Sequence, residues 1–168
     1  YEELGMTVWL IKPSTDTRDG ADIIRSRIGL QRSAQIITPA QNIAEEYRAA
    51  GKCDVIIADE AQFFTPEQID QLREIVDDED IPVLCFGLRT DFLTHCFPGS
   101  KRLLELADSI TEIKTVCACG HKATVNARIG EDGRIITQGD QVFLGGNDSY
   151  IAMCHKCWAD KIRAQQQE

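Results

Sequence analysis

No apolar run in these 168 residues approaches the ~18 that a membrane-spanning helix needs, so a helical membrane protein is excluded. Basic charge is also short: 18 Lys and Arg stand against 27 Asp and Glu, a formal charge of −9. Proteins that grip nucleic-acid backbones show a basic patch or stripe. The nearest approach here is Arg25-Ser-Arg27 with Arg32, which a solvated loop explains as well. Neither nucleic acid nor an anionic membrane is therefore expected as a partner, whereas a nucleotide held by a few local groups is compatible with the charge. The phosphate-cradling pattern G-x-x-x-x-G-K-[ST] is missing, since Gly145-Gly146 lacks both the Lys and a following helix. No internal repeat is visible, and only Gln165-Gln-Gln167 looks like a frayed tail. No secretory leader is visible either, and with Tyr1 in place of Met the chain reads as starting inside a longer protein.

What is present begins with a composition of 43% hydrophobic and 27% charged residues, enough for a globular core. Thr7–Lys12, Asp54–Ala58 and Ile81–Phe86 are near-continuous apolar runs. Strands of a parallel sheet covered on both faces read that way. Between them lie two helix starts of one design, Thr38-Pro-Ala-Gln41 and Thr65-Pro-Glu-Gln68. Each offers a Thr N-cap, Pro at the first helical position and Gln at the capping-box position. The first helix is expected to run to about Ala50. The second carries Ile69, Leu72, Ile75 and Val76 on one face and dissolves in Asp77–Asp80. Tyr1–Leu4 reads as a last helical turn stopped by Gly5, and Pro13–Gly29 as a loop. Lys101–Ala107 reads as a further helix and Ser109–Val116 as a last strand. Alternating strands and helices predict an α/β fold with a doubly wound parallel sheet.

The character changes at Cys117, and a boundary near Thr115 divides an α/β domain, residues 1–115, from a Gly- and Cys-bearing domain, residues 116–168. Gly130-Glu-Asp-Gly133 reads as a hairpin turn in the second part. Seven cysteines are many, and four of them form two close pairs: Cys117-Ala-Cys119 and, after 34 residues, Cys154-His-Lys-Cys157. Each pair puts two thiolates on one tight turn, and two turns supply four ligands. This predicts a structural zinc site made of Cys117, Cys119, Cys154 and Cys157, in a reducing cytoplasm. His121 and His155 are left out, because four thiolates already close the site. Cys53, Cys85 and Cys96 read as buried small apolar residues or spectators rather than nucleophiles.

Val55-Ile-Ile-Ala-Asp59-Glu60 is an apolar strand ending in two carboxylates. Ligands bind at the carboxyl ends of strands in open α/β sheets. An Asp so placed can hold Mg²⁺, and its neighbour can serve as a base; two acids solvated at a strand end would look the same. The tetrapeptide Asp59-Glu-Ala-Gln62 admits a helicase-type ATPase or a nucleoside kinase. The length and the charge both speak against the first. A zinc-ribbon binding module on an inactive scaffold is a further alternative, but such a module needs no acidic box.

Several ordered segments make the chain resemble the type II thymidine kinases. Asp59-Glu-Ala-Gln-Phe63 is similar to the family's D-E-x-Q-F box, and Pro82–Phe92 to its base-pocket strand and loop. Cys117-Ala-Cys-Gly120 with Cys154-His-Lys-Cys157 resembles its zinc ligands. Val142-Phe-Leu-Gly-Gly-Asn147 followed by Tyr150 resembles its lasso signature. Arg18 and Arg27-Ile-Gly29 resemble a loop joining its early strands. The resemblance implies a P-loop kinase domain whose phosphate loop precedes Tyr1 by about twenty residues, followed by a zinc-bearing lasso domain. A polypeptide truly lacking that loop is expected to be catalytically dead.

The resemblance further implies ATP- and Mg²⁺-dependent phosphorylation of the 5′-hydroxyl of thymidine or deoxyuridine. Glu60 is then the general base. Asp59, Glu60, Ala61 and Gln62 serve ATP and Mg²⁺. Phe63, Leu88, Phe92, Phe97 and Tyr150 wall the base pocket, with Gln141, Val142, Phe143, Leu144 and Gly145 reading the pyrimidine edge through main-chain groups. Asn126 falls where the family places a hydroxyl residue near the thymine methyl, so the chain departs from the family pattern at that contact. Zinc ties the base of the lasso so that it can close over the nucleoside. A cytoplasmic homotetramer inhibited by thymidine triphosphate is implied in the same way.

Overall fold

The computed structural model describes residues 1–15, 23–25, 31–141 and 149–167. Arg18, Ser26, Arg27–Gly29 and the segment Val142–Asn147 lie outside the described residues. By contacts the chain divides into two compact units, one of residues 1–89 with 97–108, the other of residues 90–96 with 109–168.

The first unit opens with a 3-10 turn, Glu2–Leu4, closed by Gly5 at φ 76°. Strand β1 (Val8–Pro13) follows, then the antiparallel pair β2 (Ile23–Arg25) and β3 (Gln31–Ser33). The expected loop over 13–29 is thus corrected at both ends: Pro13 closes β1 and Ile23–Arg25 is paired backbone. Strand β4 (Gln35–Ile37), helix α1 (Ile43–Ala50), strand β5 (Val55–Ala58), helix α2 (Pro66–Glu79), strand β6 (Val83–Cys85) and helix α3 (Pro98–Leu106) complete the unit. The sheet order is β4-β1-β5-β6, and every pairing in it is parallel. Alternate residues of its strands, Trp9, Ile11, Ile37, Ile56 and Ala58, face a buried cluster. The helices complete that cluster with Ile43 and Tyr47 of α1 and with Ile69, Leu72 and Ile75 of α2, at the three- and four-residue spacing of one helical face. Each such side chain stabilises the fold by about 1.5–3 kcal/mol on burial.

The repeated Thr-Pro-x-Gln signal behaves in two ways. At Thr65 it forms the expected capping box: Gln68 N donates to Thr65 Oγ1 at 3.2 Å and Thr65 N to Gln68 Oε1 at 3.1 Å. At Thr38 it forms only a turn, and α1 starts later, capped by Asn42. The reason lies in Gln68, whose Nε2 donates to the carbonyls of Thr38 and Gln41 at 2.8 and 3.0 Å. The entry to α1 is thereby held outside the helix. Asn42 Oδ1 then takes the N–H of Glu45, and Gln71 Oε1 takes that of Ile43 at 2.7 Å, satisfying first-turn donors.

The second unit contains β7 (Thr115–Val116) and β8 (Lys122–Ala123), antiparallel around Cys117–Gly120, then β9 (Val125–Ile129) antiparallel to β10 (Ser149–Met153), and helix α4 (His155–Gln165). Its core joins Val125, Ala127, Ile129, Ile135 and Met153 with Trp158 and Ile162. A last strand over Ser109–Val116 is not found; only Thr115–Val116 pairs. The tight turn at Cys117–Gly120, with Gly120 at φ 86°, returns the chain onto itself, so the partner is the local hairpin. The turn at Gly130–Gly133 forms as expected, closed by Gly130 N to Arg134 O at 2.9 Å. Gln165 is not frayed, because its side chain accepts from Ile135 N and donates to Ile135 O, at 2.8 and 3.1 Å.

Candidate active site and metal centre

Strand β5 ends at Ala58, and the next residues turn sharply. Asp59 N still donates to Ile11 O of β1 at 3.0 Å, which extends the ladder by one step and puts Asp59 at the carboxyl edge of the sheet. Asp59 Oδ1 accepts the N–H of Glu60 at 3.0 Å. Glu60 adopts φ 50°, ψ 38°, a left-handed conformation that costs a residue with a Cβ about 1–2 kcal/mol. A 3-10 turn, Ala61–Phe63, follows. Ala61 is fully buried and its N–H donates to Phe86 O at 2.8 Å.

Gln62 holds the strained turn. Only 2% exposed, it donates from Nε2 to Glu60 Oε2 at 2.5 Å and accepts at Oε1 from Leu88 N at 3.0 Å. The amide therefore fixes the Glu60 carboxylate against the segment that follows β6. The neighbouring glycines leave it room. A Cβ on Gly87 would lie 2.3 Å from Gln62 Oε1, and one on Gly99 would lie 2.4 Å from Phe64 O and 2.8 Å from Gln62 O. Phe63 meets Phe97 edge to face at 5.5 Å, while Leu88 is exposed. Among the expected residues of this unit, Asp59, Glu60, Gln62 and Leu88 form one connected group, and Phe63 with Phe97 a second. Sequence reasoning did not single out Lys12. It is 1% exposed and lies one residue beyond Ile11, the acceptor of the Asp59 N–H. A basic residue ending an apolar strand was the signal available.

In the second unit Phe92 is buried, with the Arg128 guanidinium 5.3 Å from its ring centroid. Arg128 lies directly across the β9–β10 ladder from Tyr150, and Asn126 across from Ala152. Asn126, Arg128 and Tyr150 thus share one sheet face, while Val125, Ala127 and Ile129 point into the core. Tyr150 is 49% exposed. Gln141 donates from Nε2 to Asp91 Oδ2 at 2.9 Å. Val142, Phe143, Leu144 and Gly145 fall outside the described residues. Asp91 and Arg128 were missed in the sequence. For Asp91 the Asp-Phe-Leu-Thr-His run, an Asx-turn composition, was the available signal.

The four paired cysteines converge. Their sulfur atoms all lie within 4.8 Å of one another, and Cys119 Sγ is 3.6 Å from Cys154 Sγ. A tetrahedral ion with Zn–S bonds of about 2.3 Å separates its sulfurs by about 3.8 Å, so the set has the size and softness that suit zinc. Cys117 and Cys119 come from the turn between β7 and β8, whereas Cys154 caps α4 and accepts the N–H of Cys157 at 3.4 Å. Backbone N–H groups of Cys119 and Cys154 bring the Cys117 thiol down. Hydrogen bonding to Cys119 and Cys154 pushes Cys157 up. His121 Nδ1 lies 3.4 Å from Cys119 Sγ, outside the four-sulfur set.

The arrangement defines a mixed α/β protein with a parallel central sheet, an acidic turn at its carboxyl edge and a separate four-cysteine unit. Comparison with known proteins narrows the class. The family model described as thymidine kinase matches residues 1–158. The thymidine kinase of Ruegeria pomeroyi is 45% identical over 163 residues, covering 95% of this chain and 82% of that protein. That of Vibrio vulnificus is 44% identical over 165 residues, covering 96% and 86%. That of Legionella pneumophila is 48% identical over 158 residues, covering 92% and 76%. The chain belongs to the thymidine kinase family. Among the described residues no helix is long and apolar enough to cross a membrane.

Proposed function

We propose that this protein transfers the γ-phosphoryl group of ATP to the 5′-hydroxyl of thymidine or deoxyuridine. The products are the nucleoside monophosphate and ADP. The observation that carries the reading is the Asp59–Gln62 turn at the carboxyl edge of the sheet, in a chain that aligns with thymidine kinases over most of its length. Glu60 accepts the proton of the 5′-hydroxyl as that oxygen bonds to the γ-phosphorus and the bond to the β-phosphate oxygen breaks. Phosphoryl transfer depends on positioning and charge neutralisation, and Gln62 supplies the first by fixing Oε2 of the base. Asp59 is assigned to the Mg²⁺ that accompanies ATP, with Ala61 and Gln62 lining the nucleotide region. On the family resemblance, Phe63, Leu88, Phe92, Phe97, Gln141 and Tyr150 are assigned to the nucleoside. A P-loop-type, doubly wound sheet belongs to the same reading.

Cys117, Cys119, Cys154 and Cys157 would hold structural zinc, which in a closed four-thiolate site offers no open position and supplies cross-linking rather than catalysis. These ligands would fasten the β7–β8 hairpin to the start of α4. A cytoplasmic location, a homotetramer and inhibition by thymidine triphosphate complete the proposal on the family resemblance.

The test is product formation. The full-length protein carrying this sequence is incubated with Mg·ATP and thymidine, and thymidine monophosphate is measured by liquid chromatography and mass spectrometry. Stoichiometric monophosphate and ADP are expected. Their absence, with thymidine recovered intact, refutes the assignment.

A further inference from the structure

Asp91 lies within the Pro82–Phe92 segment but has been given no role of its own, and its carboxylate accepts three hydrogen bonds. Residues 90–96 form a small closed loop, bridged antiparallel at Thr90 and Cys96. Asp91 N donates to His95 O at 2.9 Å, Thr94 N donates to Asp91 O at 3.1 Å, and Thr94 takes φ 69°. The loop is held in this strained shape by Asp91 Oδ1, which accepts from Leu93 N and His95 N, both at 2.9 Å. The second oxygen reaches fifty residues along the chain and accepts from Gln141 Nε2, also at 2.9 Å. The group is 5% exposed. A buried carboxylate is costly unless donors satisfy it, and three do so here.

The residues tied together in this way are Phe92, in the middle of the loop, and Gln141. The Phe92 ring is fixed from another direction by Arg128, which is the cross-strand neighbour of Tyr150. Gln141 spends its side chain on Asp91, which leaves its main chain for a ligand. We propose that Asp91 is a positioning residue for the nucleoside base, a latch that sets Phe92 and Gln141 relative to each other before substrate arrives. This rests on the assignment of both residues to the nucleoside. It accounts for a buried charge where a structural loop would need only a neutral cap.

A charge swap tests the latch. Gln141→Glu places a second carboxylate against Asp91 Oδ2 and removes the donor. Asp91→Asn with Gln141→Glu reverses the pair: the Asn oxygen still caps Leu93 and His95, and its amide donates to the new carboxylate. Gln141→Leu is the variant that buries no charge, should the acidic one fail to fold. Steady-state KM for thymidine, KM for ATP and kcat are measured for each. Gln141→Glu is expected to raise KM for thymidine tenfold or more, with KM for ATP and kcat within twofold. Gln141→Leu is expected to raise it three- to tenfold, and the double variant to return within threefold of wild type. A thymidine KM unchanged in Gln141→Glu or in Gln141→Leu overturns the proposal. So does a double variant that folds and is no better than the single variants, or equal losses for thymidine and ATP. A wild-type protein that forms no thymidine monophosphate refutes the underlying assignment and takes the latch with it.

Discussion

Gly99→Ala sets two effects of opposite sign against each other. Gly99 lies in the first turn of α3, where propensity alone favours Ala over Gly by up to about 1 kcal/mol. The surroundings forbid it. A Cβ would stand 2.4 Å from Phe64 O, 2.8 Å from Gln62 O and 3.0 Å from Ala61 O. These are backbone carbonyls and cannot rotate aside. An unstrained C···O contact is about 3.3 Å, so the helix and the 61–64 turn must separate by about 0.9 Å. Overpacking of this kind costs about 1–3 kcal/mol, and contact with three main-chain atoms places it at the upper end. The net loss is then about 2 kcal/mol, which for a unit of about 100 residues lowers Tm by about 8–16 °C. The displaced carbonyls belong to the turn that fixes Glu60, so kcat falls as well. Thermal unfolding followed by circular dichroism, with turnover measured in parallel, checks both. Gly5→Ala is the control: its φ of 76° carries strain but no atom lies within 4 Å of the added carbon, so about 1 kcal/mol is expected. A Gly99→Ala protein that melts within 2 °C of wild type refutes the steric reasoning.

Glu60→Gln keeps the shape and the bond from Gln62 within reach while removing the carboxylate proposed as the base. Turnover is expected to fall about 10²- to 10⁴-fold with thymidine affinity within threefold, as read by kcat and by calorimetric titration; equal losses in both would mark a structural carboxylate. Cys154→Ser breaks the four-sulfur set and the cap of α4. Bound zinc, measured by mass spectrometry, is expected to drop from one per chain to none and thymidine binding to be lost with it; unchanged affinity in zinc-free protein contradicts the role assigned to the metal. Burial pushes the Cys85 thiol up to about 12 from an ordinary 9.0. The folded state therefore keeps a proton that the unfolded chain releases, so stability is full below about pH 9 and declines as pH rises towards 12. Cys85→Val should flatten that decline in urea titrations at pH 8 and pH 10.5, and an unaltered slope would count against the assignment.

The parallel sheet was legible because its strands are apolar runs without alternation, and α2 because all of its capping signals act on one backbone. The same signal failed at Thr38 for a reason no local window contains: Gln68, thirty residues on, takes the two carbonyls that a helix beginning there would need. The last strand failed similarly. Ser109–Val116 has strand-forming residues, but the turn at Cys117–Gly120 supplies an antiparallel partner for only two of them. The convergence of the four cysteines was readable by spacing, since two close pairs on tight turns can bring four sulfurs together. The environment of Glu60 was readable only as composition. That the Gln62 amide reaches the Glu60 carboxylate depends on the left-handed turn at Glu60, which a residue other than glycine does not announce.

The second unit is discontinuous, and this bears on how the molecule can be taken apart. Residues 90–96 leave the first unit, contribute their loop to the second and return before α3. The polypeptide passes from one unit to the other three times, so no single cut yields two intact pieces. A fragment beginning at 109 would keep all four cysteines yet lose the acceptor for Gln141 and the ring that Arg128 covers. Chimeras between relatives that exchange only the cysteine-rich end would join a Gln141 from one parent to an Asp91 from the other. Such exchanges should carry the seven-residue excursion with them, as two inserts moved together.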